Sequence, residues 1–312
     1  MKKAYLILFI LSTQMTCGYA QNPIWSDGTA FTIAERVLEL NLFRPAKFGI
    51  TKKDEISAHP LAFFVMPHAF YKRRWTAFEL WDRKFMLSSR HGLYYPHLAL
   101  RLNRKLNFGF SELVPLEAPV PHNIALQNEV ILSHYLKEPT RCTLDNILLT
   151  GKLGFKYGFK INSDSTPLIY QSILYRETAV LVPGLVWYAG VGIDGNLNFM
   201  FNYFADIDFY SYGFIKDWSI EGKLGIMGYR GEHLSAFGGL KLAYSTIPGR
   251  NRFLIFPILD ISYRIDTNRK TKHGTDLFNK DIFKHDNSLD RTDEYYEGEE
   301  KRETLKDSLN RY

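Results

Sequence analysis

The residues whose types and spacing come nearest to a reaction centre are His233 and Ser235, separated by Leu234. Two positions apart on an extended strand, they share one face, so the imidazole is placed to take the serine's proton. The chemistry would be acyl transfer through a serine nucleophile. The apolar parity of Leu234, Leu240 and Leu242 puts this pair on the polar face of its strand. The histidines His59, His68, His91, His97, His122 and His134 show no HExxH and no paired ligand spacing, so no metal centre is expected. There is no Walker loop, and Gly238-Gly239 reads as a kink within a strand. No cofactor is expected.

A second set of polar residues recurs at period two. Lys152, Lys156 and Lys160 alternate with Leu153, Phe155, Tyr157 and Phe159. Asn196, Asn198, Asn202, Asp206 and Asp208 alternate with Leu197, Phe199, Phe201, Tyr203, Ile207 and Phe209. Glu221 and Lys223 oppose Ile220 and Leu224, and Lys241 opposes Leu240 and Leu242. If the strands form one sheet, these polar faces project together. Facing charges then either pair and plug a narrow barrel or line a wet path.

The elements that position them are long strands. Alternation runs through Gly151 to Lys160, Gly195 to Phe209, Asp217 to Tyr229 and His233 to Ser245, and Leu98, Leu100 and Leu102 read as a further strand. Phe48 to Ile56 reads as strand, charged turn, strand. Roughly ten to twelve strands fit between Ile33 and Ile265. No segment reaches the run of apolar residues a membrane helix needs, and Ala179 to Ile193 is broken by Pro183, Gly184, Gly190 and Gly192. Runs of ten to fifteen residues exceed the usual five or six of a sandwich strand and suit a tilted membrane crossing. Aromatics make up 15% of the chain and gather near run ends, as at Trp187-Tyr188 and Trp218, where a bilayer interface favours them. In hydrocarbon a sheet satisfies its backbone only by closing on itself. The expected fold is therefore all-β, a single antiparallel transmembrane β-barrel.

The ends set the compartment. Lys2-Lys3, the apolar run Ala4 to Leu11 and Gly18-Tyr19-Ala20 have the layout of a cleaved secretory signal. The expected organisation is a signal peptide at 1–20, a barrel at 21–265 and a charged, mostly disordered tail at 266–312. Cleavage after Ala20 leaves Cys142 alone, so disulfides contribute nothing to stability. The net charge of +6 has no clustered basic stripe, which argues against a nucleic-acid partner.

The signal ending at Ala20-Gln21, the phrase at Phe48 to Ile56 and the long alternating runs together resemble outer-membrane β-barrel proteins of Gram-negative bacteria, especially of the Bacteroidota type. The resemblance spans 21–265 as a style of sequence and carries no functional residue. It implies a cell-outer-membrane location, contact with outer-membrane lipid, and folding by the barrel-assembly machinery. The first expectation is a passive channel or transport-type barrel for small solutes rather than an enzyme. A second is a lipid-modifying hydrolase: His233-x-Ser235 is similar to the arrangement in outer-membrane lipid hydrolases, although there the serine is followed by Asn, here by Ala236, and the pair faces lipid. A third is a non-conducting scaffold whose tail binds partners.

Overall fold

The computed structural model describes residues 27–81, 83–106, 120, 122–137, 146–161, 184–198, 200–212, 217–230, 233–246 and 253–267. The signal segment, Cys142 and all but the first two residues of the charged tail lie outside the described residues.

Twelve strands close into one antiparallel barrel. They are β1 (Val37–Asn41), β2 (Ala46–Gly49), β3 (Asp54–Ala58), β4 (His68–Leu80), β5 (Arg83–Tyr94), β6 (Asn123–Lys137), β7 (Ile147–Lys160), β8 (Gly184–Asn196), β9 (Phe201–Tyr212), β10 (Asp217–Arg230), β11 (Leu234–Ser245) and β12 (Phe253–Asp266). Each strand pairs with the next, and β1 returns to β12 through Val37↔Asp266 to Asn41↔Ser262. Closure joins the first strand to the last, although β12 up to Asp260 and β4 beyond Arg74 are laddered on one side only.

The wall is uneven. Strands β4 to β12 run 12 to 15 residues, whereas β1, β2 and β3 have 5, 4 and 5. β12 meets β1 only from Ser262 onward, so Pro257 lies where β12 is paired with β11 alone, a place that tolerates a missing N–H.

Turn chemistry fixes the register. Between β2 and β3, the Thr51 hydroxyl accepts from the backbone N–H of Lys53 and Asp54, at 3.1 and 3.0 Å. Between β8 and β9, Asn198 Oδ1 accepts from Met200 and Phe201 N–H at 2.8 and 2.9 Å. This second turn divides the run Gly195 to Phe209, which the sequence shows as unbroken. It holds four residues, Leu197 to Met200, so inward parity passes from Asn196 to Asn202 without a slip.

A second departure is Leu98, Leu100 and Leu102, which sit on a helix, α1 (His97–Leu106), and not on a strand. The segment is Leu-, Ala-, Arg- and Lys-rich and has no β-branched residue, so helical propensity prevails over a three-residue alternation. Leu100 is its buried anchor, and Leu98 and Leu102 stay exposed. Leu61 to Met66, which does not alternate, contains a short 3-10 turn at Ala62–Phe64.

Candidate functional site

Burial alternates along β6 and β7 and over parts of the other long strands, and the buried side carries most of the charge. On β7, Lys152 is 5% exposed and its neighbour Leu153 is 62% exposed. On β9, Asp208 is fully buried beside Ile207 at 59%. The same holds on β10 for Glu221 beside Ile220, and on β12 for Asp260 beside Leu259 and Ile261. An apolar wall therefore surrounds a charged interior.

The interior charges are matched across strands. Lys152 Nζ lies 3.2 Å from Asp206 and 3.0 Å from Asp208. Glu221 receives Lys223 and Lys241, each at 3.0 Å. Arg90 meets Glu129 at 2.5 Å, and Arg264 meets Glu39 at 3.0 Å. Arg44, at the β1–β2 turn, binds Asp27 at 2.8 Å, Ser262 at 2.8 Å and the buried Asp260. Between these groups sit Tyr188 and Tyr210, both fully buried, with Val186 and Tyr212. Tyr94 donates to Gln127 at 2.8 Å and Gln127 donates to Tyr188 at 3.0 Å, a chain across three strands.

The stretch preceding β1 is packed into this interior. Thr29, Ala30 and Thr32 are fully buried, and Phe31 and Ile33 are nearly so. Its backbone is held by inward-facing side chains of separate strands. Ser133 on β6 accepts from Ala30 N–H at 2.9 Å, Glu55 on β3 accepts from Ile33 N–H at 2.7 Å, and Lys72 on β4 donates to the Phe31 carbonyl. Asp27 pairs with Lys47 on β2 at 2.8 Å as well as with Arg44. Burial on its own raises the Asp27 carboxyl, but Lys47 and Arg44 outweigh it and hold the group well below the usual carboxylate range. At Gly49 a side chain is excluded, since a Cβ there would stand 1.9 Å from the Ala34 carbonyl oxygen. Residues 27–34 thus form an inner strap held against β2, β3, β4 and β6.

Of the polar residues singled out from sequence, Lys152, Lys156, Asn202, Asp206, Asp208, Glu221, Lys223 and Lys241 stand at inward register positions. Asn198 does not: it is exposed in the β8–β9 turn, where it caps two backbone N–H groups. Lys160 pairs in register with Asn123 at the end of β7. Ser235 is inward, opposite Tyr229 and Ser262, and His233 precedes β11 with its Nδ1 2.9 Å from the Arg264 carbonyl.

The alternation did not point to a polar cluster on the outer face. Ser89 and His91 on β5 and Asn128 on β6 take the opposite parity from inward Arg90 and Gln127. His91 Nδ1 lies 2.7 Å from Asn128 Oδ1, and Nε2 lies 3.1 Å from Ser89 Oγ. The Trp75 indole N–H donates to the same hydroxyl at 2.9 Å. Beside the cluster an outer groove of about 650 Å³ runs over β1 to β6, walled by Phe48, Ile56, Tyr71, Leu93 and Leu126, with His91 and Asn128 in its lining.

A closed twelve-stranded antiparallel barrel with its charges inside is the class of protein these features define. No family model matches the chain, and no curated protein sequence matches it. Among solved structures it is similar to an anion-selective porin from Comamonas acidovorans, at 9% identity and a TM-score of 0.30, over 68% of this chain and 57% of that one. The chain thus spans less than two thirds of the porin's length.

Proposed function

We propose that the protein resides in the outer membrane with its apolar wall against lipid, as a channel- or transport-type barrel closed at rest by residues 27–34. One observation carries the reading: buried charge faces inward while Leu153, Val191, Ile207 and Leu259 face outward at 59 to 65% exposure. In water, so wide an exposed apolar belt is unfavourable. In a bilayer it is the favoured solution, because ring closure pairs most of the backbone internally. Such a protein would be folded by the barrel-assembly machinery, and small polar solutes are its natural cargo once the strap moves.

Reconstitution tests both halves. The purified protein should require detergent, and unheated samples should migrate differently from boiled ones on a denaturing gel. In planar bilayers the native chain should conduct weakly, and Gly49→Ala, which drives a methyl group into the Ala34 carbonyl, should raise conductance. Recovery as a water-soluble monomer would remove the membrane reading. Equal conductance in both forms would remove the strap's closing role.

A further inference from the structure

The outer cluster has a different chemistry from the interior. We infer that Ser89, His91 and Asn128 form a serine-hydrolase centre on the lipid-facing wall that cleaves carboxylic esters of membrane lipids. This rests on the membrane placement of the wall and is independent of conduction.

The geometry is that of a nucleophile, a base and an orienting group, which are recognised by their mutual positions and not by chain order. Ser89 and His91 are two apart on β5 and share its outer face; Asn128 is the register partner of His91 on β6. With Asn128 Oδ1 accepting from Nδ1–H at 2.7 Å, the imidazole presents its Nε2 lone pair to Ser89 Oγ at 3.1 Å. The Trp75 indole N–H, donating to the same Oγ at 2.9 Å, leaves the serine proton to point at Nε2. Tyr71 stacks on His91, with ring centroids 6.5 Å apart and planes 19° apart, and its hydroxyl donates to Asp54 at 2.5 Å, so the ring that backs the imidazole is itself fixed. Trp75 lies in a break of the β4–β5 register between Arg74 and Ala77, an irregularity of the kind that re-aims a side chain beside a site.

The groove supplies the substrate class. Its apolar walls and volume of about 650 Å³ fit an acyl chain arriving sideways from the bilayer, with His91 and Asn128 in its lining; Ser89 lies beside the groove, 8% exposed and bonded to the Trp75 indole, so the ester reaches it when Trp75 moves off the hydroxyl. Ser89 Oγ attacks the ester carbonyl carbon and its proton passes to His91 Nε2. The carbon–oxygen bond breaks, Nε2 returns the proton to the departing alkoxide, and the alcohol leaves while the acyl group stays on Ser89. Water then attacks the acyl carbon, giving its proton through Nε2 to Ser89 Oγ, and the carboxylic acid is released. Atoms and protons balance with water as the sole co-reactant.

The full-length protein in detergent, checked for the heat-dependent gel shift of a closed barrel, is mixed with dioleoyl phosphatidylcholine micelles and released fatty acid is measured. In parallel it is treated with an alkyl fluorophosphonate and mapped by mass spectrometry. The expected result is hydrolysis with one adduct, on Ser89. Ser89→Ala should abolish both, and His91→Ala should reduce hydrolysis about 10²- to 10⁴-fold. Asn128, a positioning residue, should on Asn128→Ala lower kcat with little change in KM, and Asn128→Asp, which keeps an acceptor for Nδ1–H, should recover most of the rate. A folded, detergent-bound barrel with neither hydrolysis nor adduct overturns the inference and leaves the membrane reading standing. So does activity that survives Ser89→Ala. A protein that stays monomeric in water without detergent instead overturns the membrane reading, and the inference with it.

Discussion

At Gly190 a single hydrogen decides whether an interior ion pair exists. A Cβ at that position would stand 1.8 Å from Asp208 Oδ1, the oxygen that Lys152 approaches at 3.0 Å. Gly190→Ala should therefore push Asp208 off the lysine and destabilise the barrel by about 1–3 kcal/mol, read as a lower temperature for the heat-dependent gel shift. An unchanged temperature would show that the carboxylate can swing aside without loss. Asp27 makes a separate case, because it is the strap's charged anchor, facing Lys47 and Arg44 with Lys72 and Glu39 nearby. Its carboxyl is depressed in the folded protein, so its ties contribute stability that is complete above the ordinary carboxylate range. That contribution is lost only as pH falls through the depressed value. Conductance at about pH 5 and about pH 7 should then be alike; opening at the milder acidity would contradict this anchor.

At the scale of elements, the three short strands are the weak sector. β1 shares five register pairs with β12 and two with β2, whereas β6 and β7 share fourteen. Fewer ladder bonds protect each amide there, so β1–β3 amides should exchange with deuterium well ahead of those of β6 and β7. Equal protection would mean that the inner strap, through Glu55 and Lys47, ties the short wall as firmly as a ladder does. This sector also shows what the sequence could carry. The long runs of β7, β10 and β11 were readable from period two alone, and so was the hairpin at Phe48 to Ile56. The β8–β9 turn was not, because its four residues conserve parity, and α1 was not, because three alternating leucines also fit a helix with one leucine buried. The outer cluster was half legible. Ser89-x-His91 has the spacing weighed at His233-x-Ser235, but in reverse order, and Asn128 lies 37 residues from His91, where only strand register can bring it alongside.

For the whole molecule, alternation announces two faces without saying which one is wet, and the long runs and aromatic ends are what favoured a barrel. The inner strap had no signature, since Thr29 to Ile33 is an ordinary mixed stretch that is placed by partners on β3, β4 and β6. The uneven wall also bears on the surrounding lipid. A strand of five residues rises about 17 Å, against roughly 30 Å of hydrocarbon. If the wall meets lipid as proposed, the bilayer beside β1–β3 has to pinch, or shorter acyl chains have to gather. The protein should therefore insert faster into vesicles of short-chain lipid than of long-chain lipid. The pinch would fall on the flank that carries the groove, so the lipids held most loosely would be the ones nearest Ser89 and His91.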